Sequence, residues 1–122
     1  MKGIANLFVL AGVVSALAGM VWGIQMAASG DHTLSPAHGH LNLVGWVSLM
    51  LFGIYYHAVP AAAASALARL HLVVAMAGVI LLVPGIAIAI ASGSEPLAIA
   101  GSFVTLASMV IFGIVVLRTR TT

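Results

Sequence analysis

Two imidazoles stand two residues apart in His38-Gly39-His40, at the opening of an apolar run that continues Leu41-Asn42-Leu43-Val44-Gly45-Trp46. A neutral imidazole is a strong metal ligand, and an unpaired one is costly in apolar surroundings. The pair therefore points to one of three chemistries: axial ligation of a heme, coordination of a bare metal ion, or structural hydrogen bonding. Residues two apart on an α-helix differ by about 200° in direction. His38 and His40 are thus poorly placed to chelate one small ion together and well placed to serve two different sites. His38 shares its side of the helix with Asn42, Gly45, Leu49 and Phe52, and His40 shares its side with Leu43, Val44, Val47 and Leu51. The second side is apolar and suits a flat macrocycle. On the first, Gly45 leaves room for something bulky, and Asn42, a costly amide at membrane depth, is expected to bond another helix or orient a ligand. Trp46 either anchors at the membrane interface or lines a cofactor pocket.

The surroundings of these residues are a membrane. Of 122 residues, 63% are hydrophobic and 5% charged, against roughly 25% charged in water-soluble domains. The chain reads as an integral membrane protein. Cysteine is absent, which excludes disulfides, thiolate metal sites and iron–sulfur clusters. Nothing points to nucleic-acid binding, and no phosphate-binding loop or Ser/His/Asp set is present.

Apolar runs of spanning length predict an all-α, four-helix transmembrane bundle forming a single domain over residues 1–122. The spans are expected at about 4–28, 36–59, 67–90 and 96–117. Gly12, Ala16, Gly19 and Gly23 recur at helical spacing on the first. They make a smooth face for close helix approach, either within the bundle or at a dimer seam. Ser35 can cap the second span, with Pro36 at its first position. Residues 61–68 read as a short turn or interfacial helix, and Pro84 is expected to kink the third span. An N-terminus inside puts Lys2, Arg69, Arg118 and Arg120 on the cytoplasmic side and Asp31 and Glu95 outside, obeying the positive-inside rule. Both termini are therefore expected in the cytoplasm.

This topology sorts the histidines. His32, His38 and His40 fall toward the outer face, and His57 and His71 toward the inner. His40 and His57 lie roughly 25 Å apart along one helix, so one compact site within a subunit cannot use both. His71 shares a face with Ala75, Gly78 and Leu82 and is a further candidate ligand or proton-handling group. His57 and Tyr55 with Tyr56 read as interface residues, and His32 as solvated.

The run His38-Gly39-His40-Leu41-Asn42-Leu43-Val44-Gly45-Trp46, followed by Phe52-Gly53-Ile54-Tyr55-Tyr56 and Pro60, resembles helices of heme–copper oxidase subunit I and of the related nitric-oxide reductase large subunit. It also resembles the NnrS family of membrane heme proteins. In the oxidases an HxH near the outer end of one helix supplies axial ligands to two different hemes. The resemblance implies a b-type heme on His38 and His40, with Asn42, Gly45 and Trp46 beside it. The family fold is three arcs of four helices, so this chain would equal one arc and a homotrimer would mimic the whole, with a homodimer as the next choice. One helix cannot clamp both faces of a heme with diverging histidines. A neighbouring subunit would complete the pair, joining His40 to the neighbour's His38 or to its own symmetry mate. The function implied is electron transfer or binding of a small gas such as NO or O2, with a respiratory-chain redox partner, in a bacterial inner membrane. The chain lacks a second pair of adjacent histidines for copper, and no nucleophile or pair of membrane-embedded acids is available. A binding protein is therefore expected rather than an independent enzyme. Two alternatives stand beside it: a copper or zinc module using the outer histidines with Met20 or Met26 as soft donors, and a cofactor-free assembly subunit of a respiratory complex.

Overall fold

The structure, a computed structural model, describes residues 1–120; Thr121 and Thr122, the end of the expected domain, lie outside the described residues. It is all-helical, with no strand among those residues. Helix α1 spans Gly3–Ser29 and ends on Gly30, whose left-handed φ of 69° suits a residue without a side chain. Helix α2 is Ser35–His40 and α3 is Ser48–Ala58, joined without a break by a π-helical segment, Leu41–Val47. Helix α4, Pro60–Ala63, is the short link expected near residues 61–68. Helix α5 is Ala66–Ser92, capped by Ser65, whose Oγ accepts the Ala68 N–H, and ended by Gly93 at φ 77°. It continues as helix through Pro84. Helix α6 is Pro96–Thr119, with its proline at the start, where a missing N–H costs nothing. Four segments are long and apolar enough to cross a membrane: α1, the run Ser35–Ala58, α5 and α6.

Each span packs on the next. The small-residue face of α1 is used within the chain, against the second span. Gly12 lies under the backbone of Trp46 and Met50, Gly19 under Asn42, and Gly23 under His38. Gly53 answers from the other side, against Ala5 and Phe8. Helices α5 and α6 form the other tight pair through Gly78 against Thr105, Gly85 against Ala98, and Gly101 against Leu82. The two pairs meet where α5 packs on α2 and the π segment. At the opposite end, the one that carries the termini, Phe8, Phe52, Tyr56 and His71 are buried together, with Phe112 of α6 against them.

The π segment departs from the expected uninterrupted α-helix. Each i→i+5 turn takes up an extra residue, and the change is local: Val47 and Leu51 stay exposed on the His40 side, and Leu49 and Phe52 stay buried. Val44, expected beside His40, faces inward instead and lines an internal cavity. The room expected beside Gly45 is filled by Ser15 of α1, whose Oγ would lie 2.9 Å from a Cβ there. Ser35 does not cap the second span; it is the first residue of α2, behind Leu34, and its hydroxyl donates to the His32 carbonyl at 2.8 Å.

A methyl group at Gly101 would stand 2.5 Å from the Leu82 backbone. Gly101→Ala is therefore expected to cost about 1–3 kcal/mol of unfolding free energy. Gly113→Ala, whose Cβ meets nothing within 4 Å, should leave stability unchanged or raise it by up to about 1 kcal/mol. Denaturant unfolding in mixed micelles checks this, and equal midpoints for the two variants would contradict the packing.

Candidate functional site

His38 and His40 sit at the end of the bundle that carries the α1–α2 and α5–α6 links, and they diverge as their spacing predicts. His38 is half-buried and turns toward α1. Its Nε2 lies 2.9 Å from the Gly19 carbonyl. A carbonyl only accepts, so Nε2 carries the proton and Nδ1 is the lone-pair nitrogen. Asn42, one turn on, donates through Nδ2 to the His38 carbonyl at 3.2 Å, and the same nitrogen stands 3.4 Å from His38 Nδ1. The Trp22 ring meets the imidazole edge-on, 5.8 Å between centroids. Both ring nitrogens of His38 are thus engaged inside the chain. Asn42 supports His38 from within its own helix instead of bonding another one, and its Oδ1 fills the space left by Gly19.

His40 is exposed and its nitrogens are divided differently. Nδ1 donates to the Pro36 carbonyl one turn back, at 2.7 Å. The neutral ring then keeps its lone pair on Nε2, pointing away from its own helix. Metal-ligating histidines take this form, one nitrogen held by a carbonyl and the other left to ligate. Below His40 the second span presents Leu43, Trp46, Val47 and Leu51, all exposed, and a Cβ at Gly39 would meet nothing within 4 Å. The five residues expected around a cofactor therefore separate. His40 and Trp46 are on the open side, while His38, Asn42 and Gly45 belong to the seam with α1.

The other residues of this end are polar but dispersed. Asp31 accepts from the hydroxyl and the N–H of Thr33, which hold its carboxyl below the usual carboxylate range. His32 is exposed and donates to the Gly30 carbonyl at 3.3 Å. Among the described residues no three His, Cys, Asp or Glu side chains converge. Of the two methionines considered as soft donors, Met26 is buried and Met20 exposed.

At the opposite end His71 is fully buried, and its Nδ1 lies 2.9 Å from the Tyr56 hydroxyl. Its Nε2 has no hydrogen-bond partner among the described residues. Phe8, Phe52 and Phe112 surround the ring, with centroids 5.0, 4.5 and 5.4 Å away. Tyr56, expected at the interface, is buried with it, because the aromatic junction takes its ring and His71 takes its hydroxyl. Tyr55 instead reaches Thr119 of α6 at 2.6 Å. His57 is exposed. The His71–Tyr56 pair was hidden from sequence reasoning, since the partners are 15 residues apart on different spans and no periodicity links them.

Comparison with known proteins finds no matching family model, no matching curated protein and no matching solved structure. The likeness to the oxidases therefore rests on the residues of the second span alone.

Tyr56→Phe would leave both nitrogens of a buried imidazole without partners. The expected loss is about 1–3 kcal/mol. Combining it with His71→Phe should recover part of that loss, because removing both polar partners is close to neutral when shape is kept. A double-mutant cycle of unfolding free energies tests the pair, and strict additivity would refute it.

Proposed function

We propose that this protein is a membrane b-type heme protein that moves electrons, with the iron held by His40 from each of two copies. The observation that carries the reading is the division of the ring nitrogens. His40 has its Nδ1–H anchored on a carbonyl and its Nε2 free and exposed, above an apolar helix face. These residues fit one axial position and one side of a macrocycle. Leu43, Val47 and Leu51 would lie along the ring, Trp46 at its margin, and Gly39 would leave space near the ligand. His38 fits poorly as a second ligand, because freeing its nitrogens means breaking the bond to Gly19 and the support from Asn42. A two-fold pairing of His40 with its symmetry mate breaks no such bond, whereas a cyclic pairing of His40 with a neighbour's His38 would.

The bound group would supply one-electron chemistry. With two imidazoles on the iron no position is open to substrate, which suits electron transfer. A copy holding heme through His40 alone would keep one position for a diatomic gas. The chain's own contribution is to hold the His40 ring in one tautomer and to exclude water from the apolar side. The positive-inside rule supports placing the end that carries Lys2, Arg69, Arg118 and Arg120 in the cytoplasm, with His40 near the outer face of a bacterial inner membrane. A respiratory-chain donor or acceptor would meet the heme there. The copper or zinc alternative would also need ligands from a second copy, since too few converge within one.

The test is the visible spectrum of detergent-purified protein, oxidised and dithionite-reduced. A Soret band with split visible bands on reduction is expected in the native chain. His40→Ala should abolish it, whereas His38→Ala should retain most of the heme while lowering thermal stability. Full heme retention in His40→Ala, or a native chain that stays colourless after reconstitution with heme, would sink the reading.

A further inference from the structure

A cavity of about 190 Å³ lies at mid-depth, where α6 leans on α5 and leaves a gap to the second span. Leu49 and Phe52 form one wall and Met109 another, with the hydroxyl residues Ser48, Thr105 and Ser108 between them. The hydroxyls are unusual for this chain. Elsewhere serine and threonine in the spans donate back to the carbonyl four residues earlier, the common way to satisfy a hydroxyl in a helix. Ser15, Ser92, Ser102 and Thr119 all do so. Ser48 uses the π geometry and donates to Leu43 five residues back, at 2.7 Å. Ser108, only 4% exposed, makes no such bond among the described residues and lines the cavity, whereas the buried Oγ1 of Thr105 is turned to Gly78 in the seam between α5 and α6. A hydroxyl without a partner beside a cavity is stabilised when a polar group in the cavity meets it.

We propose that this cavity binds a small neutral molecule with an apolar body and one hydroxyl or carbonyl group, which pairs with Ser108. Size sets the class. Dry protein cavities of about 150 Å³ hold benzene, and sites for drug-sized ligands begin at about 300 Å³. A body the size of a phenol or a short alcohol fits. Charge is excluded by the lining, which has no ionisable group to pair it at membrane depth. The route in is from the bilayer, because Leu106 and Met109 line the cavity and are also exposed on the lipid-facing side of α6. The π segment contributes directly, since it turns Val44 and Ser48 toward the space. Such segments recur at functional sites in helices. This proposal does not depend on the heme reading, for it uses no histidine and lies away from the link end.

The experiment is photolabelling of the full chain in lipid nanodiscs with a diazirine-bearing short alcohol, mapped by mass spectrometry, with 4-methylphenol as competitor. Adducts should concentrate on Leu49, Phe52 and Met109 and be lost to competitor in a saturable way. Toluene, of the same shape without the hydroxyl, should compete about tenfold more weakly. Ser108→Ala should weaken competition by 4-methylphenol by about tenfold, the effect of one hydrogen bond. Adducts scattered over lipid-facing residues such as Leu17 and Val73 with no saturable competition would overturn the proposal. So would native competition in Ser108→Ala, or equal competition by toluene and 4-methylphenol. The last result would make the cavity an apolar void whose hydroxyls are met by water.

Discussion

Inside a bilayer a polar group has no water to turn to, so its partner must come from the protein. The hydrogen bond from His38 Nε2 to the Gly19 carbonyl is the contact on which the link end of this bundle depends. It exists because α1 is bare at Gly19 and Gly23, where any side chain would meet Asn42 or approach His38. The close approach brings an imidazole to a helix carbonyl. The carbonyl fixes the tautomer, and Asn42 supports the nitrogen left over. Once His38 is committed in this way, the divergence of the two histidines decides the rest. His40 turns outward with its own proton held on Nδ1 by Pro36. One motif thus provides a structural histidine and a histidine equipped to ligate.

Much of this was legible in the sequence. The spans lie within a few residues of their expected limits, because hydropathy in a chain this poor in charge leaves few choices. Residues 4–28 became Gly3–Ser29 and 96–117 became Pro96–Thr119. The opposed directions of His38 and His40 also followed from helical spacing. What spacing could not reveal was which nitrogen each ring would spend, because that depends on Gly19, 19 residues away from His38 on another span. The π segment was equally hidden. Leu41-Asn42-Leu43-Val44-Gly45-Trp46-Val47 has no residue that disfavours an α-helix strongly enough to announce an extra residue in the turn. The signal is in the packing, where Gly45 accepts Ser15 and Val44 and Ser48 turn toward the α6 side.

The two ends of the protein solve the same problem with opposite economy. At the link end polar groups are partnered by backbone carbonyls and one nitrogen is left facing outward. At the other end a histidine is sealed among aromatic rings with Tyr56 as its one polar partner. That junction joins all four spans, since Phe8, Phe52, Tyr56, His71 and Phe112 come from α1, α3, α5 and α6. It gives the bundle a rigid floor, above which α6 separates from the second span and the cavity opens. The glycine seams carry the rest of the assembly, and the α5–α6 seam does so by backbone approach at Gly85 and Gly101.

The most direct test of this account is the tautomeric state of the two rings, read by nitrogen-15 solid-state NMR of the histidine-labelled apoprotein in lipid bilayers. At pH 8, His38 should show a protonated Nε2 with a bare Nδ1. His40 should show the reverse, a protonated Nδ1 with a bare Nε2. A protonated Nε2 on His40, or the same tautomer on both rings, would contradict the division of labour on which the proposed heme site rests.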